Sequence, residues 1–336
     1  MDDNQPSLPL LWETFTGYQR TAALKAAIEL DVFTSIAKGA STIEALAKSS
    51  GAAPRGLRAL LNHLVMDGFL TREHDRYGLS ATAAAFLDRG APSYLGSAVT
   101  FIASPQIVEG FTRLTEAVRR GGTAVHDDGT LAAEHPVWVD FARAMAPMAG
   151  MTAMLLGNML DVEKSPPRNI LDIAAGHGMF GITVARLAAG AQVTALDWAN
   201  VLAVAQENAR AAGIADRFHL RPGSALTIDW GSGYDLVLLP NFLHHFDVPT
   251  CEMILAKAHA ALAPGGRLAI VEFIPDDDRS GPPDAVRFAL VMLSGTPGGD
   301  SYTYAEYQSM LEHAGFRNPQ LHDLTPSPAR VVTASR

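Results

Sequence analysis

The sequence predicts an α/β protein: a parallel sheet covered by helices on both faces, preceded by a helical module of winged-helix layout. Three observations carry this. From residue 169 onward, short β-rich runs alternate with helical stretches, the pattern that builds parallel sheet. Capped helices followed by a short hairpin fill residues 17–96. The chain of 336 residues is 48% hydrophobic and only 18% charged, enough for two domains with sizeable cores.

In the N-terminal module, Ala22, Ala23, Ala26, Ala27 and Leu30 recur at helical spacing. Ser41-Thr-Ile-Glu44 reads as a capping box opening a helix that should stop near Gly51. Pro54 suits the first turn of the next helix. Leu57, Leu60, Leu61, Leu64 and Val65 supply its buried stripe, and Gly68 ends it. Phe69-Leu70 and Tyr77-Gly-Leu79 flank the turn His74-Asp75-Arg76 as two paired strands. Winged helices often bind DNA, but the formal charge is −9, and the would-be recognition helix offers only Arg55, Arg58 and His63 among apolar residues. A dimerisation or lid role is favoured.

Residues 97–160 read as helical and apolar, broken by Gly121-Gly122 and the polar run to Gly129. After the turn-rich Lys164-Ser-Pro-Pro-Arg168, strands are expected at 169–173, 192–196, 217–220, 234–239 and 267–273, with a last one at 330–335. Helices are expected at about 179–189, 199–212 and 249–263. The expected domains are 1–100, 101–164 and 165–336. Cys251 is the single cysteine, so no internal disulfide forms. No apolar run approaches the ~20 residues of a membrane span, and the N-terminus lacks a basic start. A cytoplasmic location is expected, with neither nucleic acid nor membrane as partner.

Ligands of an open parallel sheet bind beyond the carboxyl ends of its strands. The first strand runs into Leu171-Asp-Ile-Ala-Ala-Gly-His-Gly-Met-Phe-Gly181, whose small residues allow a tight turn and close ligand approach. The second ends at Asp197-Trp198. There an acid can accept two ribose hydroxyls and an indole can cover an adenine; a plain helix N-cap is the other role open to Asp197. A dinucleotide site prefers G-x-G-x-x-G, whereas this turn reads Asp172-x-Ala174-x-Gly176-x-Gly178. An acid ahead of the turn suits a cofactor with an α-amino group, which S-adenosyl-L-methionine has. The fourth strand ends in Pro240-Asn241-Phe242-Leu-His244-His245-Phe246, beside that turn. A neutral histidine there is matched to removing a hydroxyl proton near pH 7.

These motifs resemble the class I small-molecule O-methyltransferase family, of the caffeate and hydroxyindole type, over nearly the whole chain. The resemblance implies a Rossmann-like catalytic domain, an N-terminal winged-helix dimerisation domain, a homodimer and a place in secondary metabolism. It implies that Asp172, Ala174, Gly176 and Gly178 hold the methionine portion and Asp197 the ribose. Trp198, Gly223, Ser224, Ala225 and Asn241 complete the cofactor set. Ser224 stands where the family usually has aspartate, and Pro240 where it has a lysine near the adenine. His244 matches the family's base, His245 its aspartate and Phe246 its tryptophan, with Glu272 orienting the base. A second acid of the family falls at Ser301, beside Asp300.

Phe141-Ala-Arg-Ala-Met145 resembles the family's Phe-x-x-x-Met segment at the acceptor. Met145, Met148, Met151 and Met154 recur every third residue, so a helix cannot hold all four in one narrow seam. Such a stripe is more often ordinary core, but at least one end should face something else; Met145 and Met148, with Phe141, Phe242, Phe288, Met292 and Trp138, are the candidates for the wall of an apolar cavity for a flat aromatic acceptor. No residue set has metal-ligand spacing, and metal independence is expected. Methylation of nitrogen or carbon on the same fold is the alternative. A regulator that senses S-adenosylmethionine and binds DNA is the contrasting class.

Overall fold

The computed structural model describes residues 6–125 and 134–336, in two compact units, Met1–Ser104 and Pro105–Arg336. Part of the polar run that ends at Gly129 lies outside the described residues.

The first unit holds α1 (Leu8–Glu29), α2 (Val32–Ala37), α3 (Ile43–Ser50), α4 (Pro54–Met66), β1 (Leu70–Glu73), β2 (Arg76–Leu79), α5 (Ala81–Phe86) and α6 (Ala98–Ile102). Its core gathers Ala27, Phe33, Leu46, Leu57, Leu61 and Leu64. The capping box expected at Ser41 does not form. The Ser41 carbonyl instead accepts the Tyr77 amide of the hairpin at 2.7 Å. The helix therefore starts one residue later, where the Thr42 hydroxyl accepts the Ala45 amide at 3.2 Å. Gly51 ends α3 in the left-handed region and Pro54 opens α4, as expected. Helix α1 starts well before the alanine-rich stretch. Its first half leaves Leu8, Leu10, Leu11, Trp12, Phe15 and Tyr18 between 49% and 72% exposed, a contiguous apolar face on this single chain.

The second unit begins with α7 (Pro105–Thr112), α8 (Leu114–Arg120) and α9 (Val137–Met159). Then come β3 (Asn169–Ile173), α10 (Met179–Leu187), β4 (Gln192–Asp197), α11 (Ala199–Ala211), β5 (Phe218–Pro222), β6 (Tyr234–Pro240), α12 (Val248–Ala261) and β7 (Leu262–Glu272). The chain closes with α13 (Pro283–Gly295), α14 (Tyr304–His313), β8 (Arg317–Asp323) and β9 (Arg330–Ser335). Seven strands form one sheet in the order β5-β4-β3-β6-β7-β9-β8, with β9 antiparallel to both neighbours. β7 starts ahead of the expected 267, with a register shift against β6 between Tyr234 and Leu236. β8 was not expected from the sequence. Its Arg-Asn-Pro-Gln-Leu-His-Asp is polar and carries Pro319, tolerable only because the strand lies at a sheet edge. Among the described residues no helix is long and apolar enough to cross a membrane.

From β3 the chain winds outward to β5, then returns to place β6 on the other side of β3. That reversal opens a crevice above the carboxyl ends of β3 and β6, the usual ligand position in such sheets.

Candidate active site

The turn after β3 is built from left-handed residues: Ala174, Gly176 and Gly178 have φ of 50°, 56° and 74°. At Gly178 a side chain would also lie 3.0 Å from Ala205 Cβ and 3.1 Å from Phe218 Cζ, so only glycine fits. Asp172 is fully buried, and its Oδ2 accepts the Gly181 amide at 2.9 Å. A Cβ on Gly181 would stand 2.8 Å from that oxygen, so the glycine permits the bond. Oδ1 of Asp172 is buried without a partner. Burial pushes the carboxyl up to about 7, against the pull of the Gly181 amide.

At the tip of β4, Asp197 ties the neighbouring turns together. Its Oδ2 accepts the Gly176 amide at 2.8 Å, its Oδ1 the Trp198 amide at 2.7 Å, and its carbonyl the Gly223 amide at 2.9 Å. Burial raises this carboxyl to about 6. Asp197 is not the helix N-cap; Trp198 holds that position. The half-buried Trp198 packs against the cluster of Ala142, Val201 and Val204, as does Trp138. After β5, the Ser224 hydroxyl accepts the Leu226 amide at 3.3 Å, and Ala225 is buried. Asn241, with φ of 52°, donates its amide to the Val271 carbonyl at 2.8 Å.

β6 and β7 run parallel with Pro240 opposite Val271, which sets Glu272 beside the short 3-10 turn Leu243–His245. Oε1 of Glu272 accepts the amides of Phe242 at 2.9 Å, Leu243 at 3.0 Å and His244 at 3.4 Å. Its Oε2 bonds Nδ1 of His244. Both side chains are buried, 1% exposed for Glu272 and 4% for His244. One carboxylate thus caps the turn and orients the ring, and Nε2 is left to act. His245 packs against the rings of Trp138 at 5.1 Å and His244 at 4.2 Å. Burial, then the neighbouring His244, pushes its pKa well below the usual histidine range, so the ring is neutral; its Nδ1 is buried without a partner. The second-acid position is altered: the Ser301 hydroxyl donates to the Phe273 carbonyl at 2.5 Å. The carboxylate of Asp300, the neighbouring acid, accepts the Ser301 amide at 2.7 Å and lies 3.5 Å from Arg279.

Aromatic rings surround this point. Phe288 of α13 stands edge-on to His244 at 4.8 Å and stacks on Phe273 at 4.4 Å. Phe242 meets Phe246 at 5.0 Å, and Phe141 stacks on His177 at 6.1 Å. Met292 is buried and Met145 half-buried. The methionine stripe is not core. Met148, Met151 and Met154 are 37%, 50% and 41% exposed, so Met148 lies at the surface of this chain rather than enclosed in a cavity.

Residues 113–317 match the family model of the O-methyltransferase domain, and residues 12–89 match the O-methyltransferase dimerisation domain. The chain belongs to the O-methyltransferase family. Its methyl donor is accordingly S-adenosyl-L-methionine. The chain is 34% identical over 309 residues to 3-hydroxy-5-methyl-1-naphthoate 3-O-methyltransferase of Streptomyces sahachiroi, covering 91% of this chain and 88% of the relative. A crystal structure from Nostoc punctiforme, provisionally assigned as an O-methyltransferase, is 49% identical with a TM-score of 0.95. It covers 99% of this chain and 100% of that one. Human N-acetylserotonin methyltransferase, solved with SAM, shares the fold at 22% identity, a TM-score of 0.87, and coverage of 100% and 99%.

Within this O-methyltransferase, Asp172, Ala174, Gly176, Gly178 and Asp197 meet at the tips of β3 and β4, and Gly223 joins them through Asp197. His244, His245, Glu272, Phe242 and Phe288 gather at the ends of β6 and β7. Two further residues belong to these groups. His177, inside the glycine turn, is held down to about 4 by burial, and its Nδ1 accepts the Met179 amide at 3.1 Å. Phe273 follows Glu272 in the chain and carries the stack under Phe288. A histidine between two glycines and an aromatic after a strand-end acid were the available signals. Among the described residues, no group of three or more His, Cys, Asp or Glu could hold a metal ion.

Proposed function

We propose that this enzyme moves a methyl group from S-adenosylmethionine to the hydroxyl of a small, flat aromatic acceptor, with His244 as general base. The carrying observation is the buried pair of His244, in the 3-10 turn after β6, and Glu272, at the end of β7. When bound, the donor supplies a sulfonium methyl group open to direct displacement. Glu272 takes the Nδ1 proton of His244 as a hydrogen bond, so Nε2 carries the lone pair that removes the hydroxyl proton. The resulting imidazolium faces a carboxylate, which lowers the cost of charging a buried ring. His245, neutral and ring-packed, positions His244 rather than sharing its proton. Phe141, Met145, Phe242, Phe288 and Met292 offer the acceptor apolar faces and exclude water. The naphthoate named for the Streptomyces sahachiroi relative is an acceptor of this flat kind. Incubation with the donor and a panel of phenols is expected to give methyl ethers on at least one; turnover only of amines or carbon acids would overturn the hydroxyl assignment.

The residues fit the donor. Asp172 Oδ1, buried and unpartnered, is suited to the donor's ammonium, directly or through a water. Asp197 is suited to its ribose, Trp198 and Ser224 to its adenine, with Gly223, Ala225 and Asn241 shaping the backbone around them. A pH dependence follows. In the free enzyme Asp172 is half-protonated near pH 7, whereas an ammonium partner favours the ionised form, so binding releases a proton. The affinity for S-adenosylhomocysteine should rise about tenfold from pH 6 to pH 8. Asp197, held at about 6, acts in the same sense. Both acids bind protons more tightly folded than unfolded, so the free chain loses stability as pH rises from the ordinary carboxylate value of 3.8 to about 6 for Asp197 and about 7 for Asp172. Titration calorimetry checks the affinity; a flat profile, or one that keeps its full amplitude in Asp172→Asn, would remove the ammonium role from Asp172, whereas the small residue due to Asp197 should remain.

Trp12, Phe15 and Tyr18 of the exposed apolar face of α1 lie within the segment matching the dimerisation domain, with Leu8, Leu10 and Leu11 just ahead of it. Both support a homodimer built through the N-terminal unit.

A further inference from the structure

Between β5 and β6, the segment Ser224–Ile228 is fixed at both ends by residues remote in sequence. Its start hangs from Asp197, whose carbonyl accepts the Gly223 amide at 2.9 Å. Within it, the Ser224 carbonyl accepts the amides of Thr227 at 3.1 Å and Ile228 at 3.0 Å. This closes a single turn whose following carbonyls have no partner inside it. Those carbonyls converge on one cation. Nζ of Lys257, on α12, donates to Ala225 O at 2.7 Å, Leu226 O at 3.0 Å and Ile228 O at 2.9 Å. An ammonium has three N–H groups, and here each carbonyl takes one. Nζ also lies 5.2 Å from the centre of the Trp230 ring, whose indole N–H shares Ala225 O at 2.9 Å.

Lys257 is thus spent wholly on the backbone of the segment that carries Ser224, the serine standing where its relatives usually have an aspartate. A carboxylate can recognise an exocyclic amine over a range of positions, since it has several lone pairs and a full charge. A serine hydroxyl has only two lone pairs, no charge and a short reach, and here one lone pair already accepts the Leu226 amide at 3.3 Å, so the placement of the other has to be set from outside. We propose that Lys257 is a positioning residue for adenine recognition: its three bonds hold the turn in the one conformation that presents Ser224 to the 6-amino group of the donor. This rests on the assignment of Ser224 to the adenine.

The test reads base selectivity rather than turnover. Calorimetry compares S-adenosylhomocysteine with S-inosylhomocysteine, in which a 6-oxo group replaces the 6-amino group. The wild-type enzyme should prefer the adenosyl ligand about tenfold, and Ser224→Ala should remove most of that preference. Lys257→Met, folded by circular dichroism, should bring the ratio below about threefold, and Lys257→Arg should restore part of it. Lys257→Gln is the second variant, held to the same ratio should the methionine variant not fold. If Lys257→Met weakens both ligands equally and keeps the ratio, the lysine merely stabilises the loop and the proposal fails. If the wild type shows no preference, or Ser224→Ala keeps it, the Ser224 assignment fails first, and the role of Lys257 with it.

Discussion

His244→Ala should reduce kcat for a phenolic acceptor by about 10²- to 10⁴-fold, the usual contribution of a positioned general base. The affinity for S-adenosylhomocysteine should stay within about threefold, because none of the groups expected to hold the donor is bonded to His244. Alanine leaves a buried Glu272 oxygen without its partner, at a cost of about 1–3 kcal/mol, so lost activity could reflect lost structure. His244→Asn separates the two, since its amide N–H can reach Glu272 while offering no base. Both variants should be equally slow, with the asparagine form the more stable of the pair by thermal melting. Normal turnover in a folded His244→Asn enzyme would end the assignment.

The second large effect should come from Glu272→Gln, a change of one atom. The glutamine carbonyl can still accept the amides of Phe242, Leu243 and His244, so the turn keeps its cap. Its NH₂ group then faces Nδ1 and donates to it, which moves the imidazole proton to Nε2. The nitrogen that should accept a proton now carries one. Turnover is expected to fall by about 10²- to 10⁴-fold with little loss of stability, as when the orienting acid of a histidine base is neutralised. Combining Glu272→Gln with His244→Asn should cost no more than His244→Asn alone, since one function is removed twice. Full additivity of the two losses would mean that Glu272 acts on the reaction by another route.

The parts legible in the sequence are those encoded by local chemistry. Small residues after a β-rich run marked the turn at 174–178, and acids at strand tips marked Asp172 and Asp197. The strands 169–173 and 330–335 fall at their expected bounds. Contacts decided between distant segments were not legible. Ser41 was free to cap a helix until the hairpin amide of Tyr77 claimed its carbonyl. β8 has no strand composition and exists because β9 offers it an edge to pair with. The methionine period excluded a single seam but not the surface, where three of the four lie. The pairing of His244 with Glu272, 28 residues apart, came from family resemblance; from the residues alone it needs the knowledge that β6 and β7 are neighbours.

The order β3-β6-β7 in the sheet places Asp172 opposite Leu238 and Pro240 opposite Val271 through main-chain ladders. The strand ends that carry the glycine turn and the proposed base are therefore spaced by the rigid repeat of the pleat. The aromatic and thioether faces come instead from α9, α13 and the strand-to-helix connections, which can be recast without disturbing that spacing. Chemistry and taste are inherited separately in such a protein: relatives can diverge in what they methylate while the distance over which the methyl travels stays put.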